Sequence, residues 1–570
     1  MRLILYLSPL LVLGCRSEVA HSFAGAWQAL PAELQGEVQG MPAHWSVQGK
    51  GGAVSTANAL ATEAGIQTLT KGGNAIDALL AVQWVLAVVE PQSSGLGGGG
   101  FLLYYDAKTK KVYALDGREE LPENADENLF RDGSGKPLPF PERLRGARAV
   151  GVPGTVALME YAQKRFGSGK LAFAATFARA IELAKQGIRV SPRLNQAMKL
   201  NRERFMRQNG GYNPYLRASE PYQIGEAFYQ RDLAATLETI AAKGAADFYS
   251  GGIAADIVNT VTHNRDYASR MTLADLKQYR VVERRVAERA LALNRVYSVS
   301  APASGDFTLN AIPALPLSLA NETLFMSASL AAQKMAMAQR ERLLEDPDFK
   351  AAKTPPSPGR ESENTTHVAI ADAEGNIVSY TSSVETSMGS ALVVSGRGFV
   401  LNNQLSDFAA EKGAVNGVET GRRERSMALN PEARETKGAK RPKSSMSPLI
   451  ILKADGSYAA LGSPGGPTIL GTNAIVTARY LAGEDLQEAI LKPRALVMPN
   501  GKTLVELPVK RDAALLAVLR ARGFDIDLRR NVISLGSVQA VGYDARTKKF
   551  TAASDLRREG LGLVVTAVLE

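Results

Sequence analysis

The sequence predicts a mixed α/β (α+β) fold whose last third is dominated by antiparallel β-sheet. Two segments carry the sheet prediction. Residues 366–384 alternate apolar and polar side chains on both sides of a Gly375-Asn376 turn, which is typical of a β-hairpin. Residues 448–462 repeat this alternation around a second turn. Helices are expected upstream, where residues 150–300 are mostly helical in pattern, and downstream at residues 468–482.

The composition indicates a globular protein without a cysteine-based metal site. The chain has 570 residues, of which 45% are apolar and 22% are charged. Its formal net charge of +10 is spread over a long chain, so it does not by itself indicate a nucleic-acid partner. A single cysteine excludes an intrachain disulfide and any zinc or iron–sulfur site built on several cysteines. Four histidines without an HExxH motif also argue against a histidine-rich metal centre.

Residues 1–15 are predicted to be a secretion signal. Arg2 is followed by an apolar run that is too short to cross a bilayer as a stop-transfer helix. The only cysteine, Cys15, ends this run in the pattern VLGC, which resembles a bacterial lipoprotein signal, although a buried free cysteine would also fit. We therefore expect an exported protein, in the bacterial periplasm or anchored to a membrane through lipid on Cys15. Residues 16–45 are interpreted as a linker.

The clearest boundary inside the chain lies just before Thr365. Residues 350–364 are rich in proline, serine and charge and lack apolar periodicity, so we predict an exposed segment there. A clean strand pattern begins immediately afterwards. The apolar run at residues 79–89 is too short to span a membrane and contains Gln83, so it is predicted to be a core helix.

Two other patterns do not fit the functions they first suggest. The glycines from Gly95 to Gly100 satisfy GxGxxG, but a predicted helix precedes them and a strand follows, the reverse of a dinucleotide-binding fingerprint. The basic run at residues 422–443 has no interleaved aromatic residues and is interrupted by acidic ones. We interpret this run as a solvated loop and expect no nucleic-acid partner.

The dipeptide Asn364-Thr365 would acquire chemistry if the chain were cut between its two residues. Thr365 would then carry a free α-amino group beside its own hydroxyl. An amine with a pKa of about 7.7–8.0 can act as general base for that hydroxyl. An internal threonine lacks this base, and most threonines in strands are structural. Taken alone, the dipeptide is a weak indication of a nucleophile.

The motifs around it make the indication specific. A resemblance to the small subunit of γ-glutamyltransferases (glutathione hydrolases) is carried by TTHVAIADAEGNIVSYTSS, GFVLNNQLSDF, RPKSSMSP and LGSPGGPTI. A resemblance to the large subunit is carried by GGNAIDALLAVQWVLAVVEPQSSGLGGGGF, LDGREELP, VGVPGTV and LLEDPDF. This resemblance implies an N-terminal-nucleophile hydrolase, a four-layer αββα sandwich built from two chains of one precursor. Residues 46–364 would form the large subunit and residues 365–570 the small, catalytic one.

The resemblance also implies roles for particular residues. Thr365 would be the nucleophile, released by cleavage after Asn364, with the Ser383 hydroxyl as its hydrogen-bond partner. The backbone amides of Gly465 and Gly466 would stabilise the oxyanion, since they precede a helix. Without the motifs, these hydroxyls could be ordinary strand residues and the glycines could serve only the turn. No metal and no organic cofactor is implied.

Six further residues are implied in binding of the γ-glutamyl donor: Arg118, Glu385, Gln404, Asp407, Ser444 and Ser445. Arg118 would hold the α-carboxylate with help from the two serines, because a guanidinium matches a carboxylate bidentately. Asp407 and Gln404 would hold the α-ammonium, close to Glu385, which stands where many members have asparagine. Each could instead serve a purely structural purpose, as an ion-pair partner, a cap or a loop hydroxyl.

The implied activity is cleavage of glutathione or related γ-glutamyl amides, with transfer to water or to an amino-acid or peptide acceptor. Two alternatives remain. One is a related acylase, of the cephalosporin type or acting on poly-γ-glutamate, and the other is an uncleaved, inactive, lipid-anchored binding protein. The segment between LEDPDF and Thr365 is shorter than is usual in the family, and residues 408–443 match it poorly. These departures leave the acceptor less defined than the nucleophile.

Overall fold

The computed structural model describes residues 46–49, 51–209, 213–314, 319–349, 354, 364–424, 437–529 and 535–565. The predicted signal and linker, Cys15 and nearly all of the segment predicted to be exposed before Thr365 lie outside the described residues. Among the described residues, no helix is both long enough and apolar enough to cross a membrane.

Two antiparallel sheets of seven strands each form the centre of the molecule. Sheet I comprises β1 (Ser46–Gly49), β10 (Val286–Leu291), β11 (Asn294–Val299), β16 (Leu449–Leu452), β17 (Tyr458–Gly462), β21 (Gln539–Asp544) and β22 (Lys549–Ser554), in the order β1-β22-β21-β17-β16-β11-β10. Sheet II comprises β2 (Gly52–Thr56), β3 (Gly99–Asp106), β4 (Lys111–Gly117), β9 (Val282–Arg284), β12 (Asn364–Asp372), β13 (Ile377–Glu385) and β23 (Leu561–Val564), in the order β23-β2-β12-β13-β3-β4-β9.

Helices cover the outer face of each sheet. The layer on sheet II contains α1 (Ala59–Thr70), α2 (Ala75–Val89), α4 (Thr155–Phe166), α5 (Ala178–Gln186), α6 (Pro192–Gln208), α7 (Arg231–Lys243), α8 (Ala245–Ser250), α9 (Gly252–Thr262) and α10 (Leu273–Gln278). The layer on sheet I contains α11 (Gly305–Ala311), α12 (Glu322–Leu343), α13 (Thr468–Leu481), α14 (Leu486–Leu491) and α16 (Ala513–Ala521). Two short helices complete the set, α3 (Phe140–Arg143) and α15 (Leu507–Arg511).

Smaller strands lie outside the two main sheets. They pair as β5 (Ile188–Arg189) with β8 (Ala227–Phe228), β6 (Leu216–Arg217) with β7 (Glu220–Pro221), and β14 (Arg422–Glu424) with β15 (Lys437–Ala439). A three-stranded sheet has the order β18 (Ala495–Val497), β19 (Lys502–Val505), β20 (Asp525–Ile526).

Three apolar layers hold this sandwich together. Helix α2 is buried along its whole length, which confirms the predicted core helix and explains its nearly continuous apolar sequence. Phe101 and Leu103 of β3 meet Ile450 and Ala460 of sheet I between the two sheets. A third cluster joins sheet I to its own helices. The arrangement of helices, two stacked sheets and helices confirms the four-layer αββα architecture.

Both sheets contain strands from before and from after Thr365. The predicted hairpins are confirmed as β12–β13 and β16–β17, and β12–β13 lies between β2 and β3. A cut before Thr365 would therefore leave each sheet built from both products, held by backbone hydrogen bonds and buried apolar surface. The expectation that residues 150–300 are mostly helical is wrong at its end, because residues 282–299 contribute β9, β10 and β11. Their side chains pack against the central strands, and this contact outweighs the local pattern.

The interpretation of residues 422–443 as a solvated loop is wrong for its last part. Lys440, Arg441 and Lys443 are 2%, 0% and 5% exposed. Arg441 pairs with Asp116 at 2.7 Å and with Glu120 at 2.9 Å. Burial of such a cation requires paired carboxylates, and these lie more than 300 positions earlier in the chain, so the local sequence does not reveal them. Residues 425–436 of the run lie outside the described part of the chain.

Candidate active site

Thr365 is the second residue of β12, in the middle of sheet II. The register of β12 against β13 shifts between Asn364 and Thr365, so that Asn364 pairs with Glu385 while Thr365 pairs with Ser383. Such a local irregularity turns a side chain away from the regular pleat. Thr365 is 4% exposed and lines a small pocket. The strand pairing therefore fixes the backbone of the predicted nucleophile.

The hydroxyl of Ser383 contacts both sides of the predicted scissile bond. It accepts a hydrogen bond from the Thr365 hydroxyl at 3.3 Å and donates one to the carbonyl oxygen of Asn364 at 3.0 Å. It also accepts a hydrogen bond from the backbone N–H of Glu385 at 2.9 Å. One donor and two acceptor positions are all that a serine hydroxyl offers, so its orientation is fully determined.

Gly465 and Gly466 form the turn that leads into α13. Their φ angles are +129° and +55°, and a Cβ at Gly465 would lie 2.3 Å from Thr468 Oγ1. The carbonyl of Gly465 accepts hydrogen bonds from the backbone N–H and hydroxyl of Thr468. Both glycines are buried, and neither amide N–H donates to another described residue. Buried amide N–H groups without an acceptor can donate hydrogen bonds to a developing oxyanion. Gly466 lines the same pocket as Thr365.

Arg118 lies at the pocket with its donors already occupied. It donates to Gln404 Oε1 at 2.6 Å, to Asp407 Oδ2 at 2.5 Å and to the carbonyl of Lys443 at 2.8 Å. Burial would lower the pKa of Arg118, but the attraction of Asp407 and neighbouring carboxylates outweighs this and raises it. The two residues expected to hold a substrate ammonium thus hold Arg118 in the free protein.

The pocket brings together most of the predicted site residues. Its empty volume is about 230 Å³. Its lining consists of Arg118, Thr365, Ser383, Glu385, Asp407, Ser444, Ser445, Met446, Gly466 and Ile469. Gln404 and Gly465 are not part of this lining. Gln404 accepts a hydrogen bond from the lining residue Arg118, and Gly465 directly precedes the lining residue Gly466. Glu385 has a φ of +79°, an uncommon backbone conformation for a residue with a Cβ, and one that is found often at functional sites.

Hydrogen bonds from Ser304 and from Arg340 of α12 fix the positions of Ser444 and Ser445. The Ser304 hydroxyl donates to the carbonyl of Ser444 at 2.6 Å. Arg340 of α12 donates to the hydroxyls of both Ser304 and Ser445. Arg340 is buried and was not singled out by the sequence. Its only sequence signal is its place just before the LLEDPDF motif.

Two more residues near the site escaped the sequence reasoning. Glu119 follows Arg118 directly, and its carboxylate lies 3.7 Å from Arg118 Nη1. Burial raises the pKa of Glu119 to about 8, although the charge of Arg118 opposes the shift. Arg558 donates to the carbonyl oxygen of Thr365 at 2.7 Å. The place of Glu119 in the DGREE motif could have identified it, whereas Arg558 is 193 positions from Thr365 and gives no such signal.

His367 is close to Thr365 in sequence but is not a general base for it. Its Nδ1 lies 2.8 Å from Thr381 Oγ1, and the ring is fully buried against Gly462 of sheet I. Burial lowers the pKa of His367 to about 3, so the ring is neutral at physiological pH. Its role is to fill the space between the sheets. Among the residues that the structure describes, no group of three histidine, cysteine, aspartate or glutamate residues is placed to hold a metal ion.

Comparison with known proteins gives the family. The model of the gamma-glutamyltranspeptidase family matches residues 61–357 and 350–565. The glutathione hydrolase proenzyme of Bacillus subtilis (strain 168) is 31% identical over 569 residues, covering 90% of this chain and 92% of the relative. The glutathione hydrolase proenzyme of Escherichia coli (strain K12) is 32% identical over 536 residues, covering 87% and 88%.

A solved structure agrees on the fold. The cephalosporin acylase from Bacillus halodurans matches with a TM-score of 0.78 at 23% identity, covering 93% of this chain and 98% of that one. At this identity the likeness concerns the fold alone. The family match extends over most of the chain and includes every residue predicted to act in catalysis or donor binding. The protein therefore belongs to the gamma-glutamyltranspeptidase family and is an enzyme of the glutathione hydrolase type.

Proposed function

We propose that this protein cleaves itself before Thr365 and then hydrolyses or transfers the γ-glutamyl group of glutathione or related amides. The observation that carries the proposal is the pocket itself. It brings the Thr365 hydroxyl, the Ser383 hydroxyl, an unpaired glycine amide and a buried arginine to the lining of one pocket. That set provides a nucleophile, donors for an oxyanion and a binding group for a carboxylate.

Self-cleavage begins with attack of Thr365 Oγ1 on the carbonyl carbon of Asn364. The hydrogen bond from Ser383 to the Asn364 oxygen strengthens as that oxygen gains charge. The C–N bond then breaks, the departing nitrogen takes up the proton lost by the hydroxyl, and an ester on Thr365 forms. Water hydrolyses the ester, which leaves a carboxylate on Asn364 and a free amine and hydroxyl on Thr365.

Turnover repeats this chemistry on the donor. The free amine of Thr365 takes the proton of its own hydroxyl while Oγ1 attacks the γ-carbonyl, and the amides of Gly465 and Gly466 stabilise the oxyanion. The proton passes to the leaving amine, and a γ-glutamyl ester remains on Thr365. Water or the amine of an amino acid or peptide then attacks this ester and restores the enzyme.

Donor binding would exchange partners around Arg118. The α-carboxylate of a donor would replace the oxygens of Asp407 or Gln404 as the acceptor for Arg118, assisted by Ser444 and Ser445. The released Asp407 would accept hydrogen bonds from the donor's α-ammonium. The exchange conserves the number of charge-assisted hydrogen bonds, so a zwitterionic donor leaves no buried charge unpaired. Glu385 lines the same pocket and adds a second carboxylate near the ammonium.

The first test is a denaturing gel of the purified protein with N-terminal sequencing of the smaller band. We expect a fragment that begins Thr-Thr-His at Thr365. Thr365→Ala should remain one uncut chain and release no p-nitroaniline from a γ-glutamyl anilide. The matched control is Thr366→Ala, whose hydroxyl has no hydrogen-bond partner among the described residues and which should still be cut. Turnover by Thr365→Ala would contradict the mechanism, and an uncut, inactive wild type would favour the binding-protein alternative.

The preference for one donor over another distinguishes the proposed function from the acylase alternative. Burial of Arg118 beside Asp407 favours a donor with both a free α-carboxylate and a free α-ammonium. A γ-glutamyl anilide should therefore react at least tenfold faster than the corresponding anilide without the α-ammonium. Equal rates, or a preference for the second compound, would favour an acylase of the cephalosporin type.

We also propose that the protein is exported and anchored by lipid on Cys15, with residues 1–15 as the signal. The support is the single cysteine at the end of a short apolar run. Mass spectrometry of the mature protein should find a lipidated N-terminal Cys15, and Cys15→Ser should release the protein from membranes. A mature chain that retains residues 1–14, or an unmodified Cys15, would overturn this proposal.

A further inference from the structure

Side-chain hydroxyls hold two successive carbonyl groups of the glycine turn that leads into α13. The Ser463 hydroxyl donates to the Pro464 carbonyl at 2.7 Å, and the Thr468 hydroxyl donates to the Gly465 carbonyl at 2.9 Å. Ser463 and Thr468 are 0% and 3% exposed. A serine or threonine hydroxyl has a single proton to donate, so each of these two protons is used within the turn.

The direction of a carbonyl fixes the direction of the N–H that shares its peptide plane. In a planar trans peptide the C=O and the following N–H point in opposite directions, and both peptide bonds of this turn are trans. The Pro464 carbonyl shares a plane with the Gly465 N–H, and the Gly465 carbonyl shares the next plane with the Gly466 N–H. Ser463 therefore directs the first N–H away from itself. Thr468 does the same for the N–H of Gly466, which lines the pocket.

The glycines themselves give this turn little rigidity. Gly465 and Gly466 have φ angles of +129° and +55°, and a residue without a Cβ moves easily between backbone conformations. Rotation of either peptide plane would change the direction of its N–H. Hydrogen bonds to the two carbonyls oppose that rotation, so the hydroxyls supply the rigidity that the backbone lacks.

Both hydroxyls are themselves fixed. The Ser463 hydroxyl accepts a hydrogen bond from the backbone N–H of Ser537 at 2.9 Å. The segment that contains Ser537 is anchored in turn, because the backbone N–H of Leu535 donates to Glu506 at 2.9 Å. Thr468 is the first residue of α13, and β-branching restricts the rotation of its side chain.

We infer that Ser463 and Thr468 are positioning residues for the oxyanion site. Their hydroxyls hold the amides of Gly465 and Gly466 in the direction that the donor oxyanion requires. The inference rests on the proposed function, because this oxyanion forms only when Thr365 attacks a donor. Amides held in place need not reorient as the charge develops, which is why fixed donors stabilise a transition state. Loss of a hydroxyl should therefore lower kcat without weakening the binding of the donor's charged groups.

The test compares Ser463→Ala and Thr468→Val with the wild type, using cleaved enzyme counted by active-site titration and a γ-glutamyl anilide as donor. Each variant should lower kcat about tenfold, less than the loss of a whole oxyanion donor, because the amide remains but is no longer fixed. L-norvaline carries both charged groups and no γ-carbonyl, so its inhibition constant should stay within about twofold. Thr468→Ser keeps the hydroxyl and should keep kcat within about threefold of the wild type.

The matched control is Thr472→Val in the same helix. It also removes a buried hydroxyl, but the acceptor of that hydroxyl, the Leu535 carbonyl, receives a second hydrogen bond from Arg494. Thr472→Val should leave kcat within about twofold of the wild type. Urea unfolding should show similar losses of stability in Thr472→Val and Thr468→Val, since each loses one buried hydrogen bond.

Self-cleavage provides a second comparison within the same variants. The donor to the Asn364 carbonyl is Ser383, so Ser463→Ala and Thr468→Val should cut themselves within about threefold of the wild-type rate. Unchanged kcat in both variants, or an equal slowing of self-cleavage and turnover, would overturn the inference.

Thr468→Ser extends the test to the case in which the other two variants do not fold. A loss of kcat of about tenfold in Thr468→Ser would overturn the inference, because its hydroxyl can still hold the Gly465 carbonyl. An uncleaved or inactive wild type would instead overturn the proposed function.

Discussion

Replacing Ser383 with alanine should slow self-cleavage far more than it destabilises the fold. The Ser383 hydroxyl donates to the Asn364 carbonyl at 3.0 Å and accepts from Thr365 at 3.3 Å. The bond to a neutral carbonyl contributes about 1 kcal/mol, whereas removing one donor from an oxyanion costs about 2.7–4 kcal/mol. The difference raises the free-energy barrier to self-cleavage by about 2–3 kcal/mol.

That difference corresponds to cleavage that is slower by about 30- to 160-fold. The assay follows the intact chain over time on a denaturing gel after synthesis is stopped. Ser383→Thr keeps a hydroxyl and should restore most of the rate. The matched control is Ser382→Ala on the same strand, because the Ser382 hydroxyl donates to the Gly99 carbonyl, away from the scissile bond. Cleavage of Ser383→Ala within threefold of the wild-type rate would refute the reasoning.

Three more substitutions address binding, the oxyanion and pH. Arg118→Lys should raise KM for the donor at least tenfold, measured with a γ-glutamyl anilide, because lysine cannot form the same bidentate contact. Gly465→Ala forces a Cβ to within 2.3 Å of Thr468 Oγ1 and should lower kcat about 100-fold, whereas Gly483→Ala, with open space around it, should not. Burial raises the pKa of Glu119 from 4.5 to about 8, so between these values the folded state binds a proton that the unfolded state has released. Stability should therefore fall as pH rises through this window, and Glu119→Gln should flatten that fall in urea unfolding at pH 5 and pH 8.5. An unchanged KM in Arg118→Lys would contradict the first prediction, and equal kcat values for the two alanine variants would contradict the second. The same pH dependence of stability in Glu119→Gln and the wild type would contradict the third.

The hairpins and the buried helix could be predicted because their signals are local. The strand alternation of β12–β13 and β16–β17 and the apolar run of α2 each lie within about 20 residues of sequence. The strands at residues 282–299 could not be predicted in the same way. Of these strands, β9 and β10 lie at the edges of the two sheets, and β9 and β11 pair with β4 and β16, which lie far along the chain.

The sequence by itself determined the family, and it predicted the nucleophile and most of the residues that the structure brings together around it. Motif order and residue type carry that information, since a free threonine amine, a glycine turn and an arginine have defined chemistry wherever they meet. Only the tertiary structure decided how these groups are paired. It places Arg118 on Asp407, Ser383 on the carbonyl of Asn364 and Arg558 on the carbonyl of Thr365. Hydrogen bonds and charge interactions act over a few ångströms of space, and residues hundreds of positions apart come within that range only when the sheets assemble.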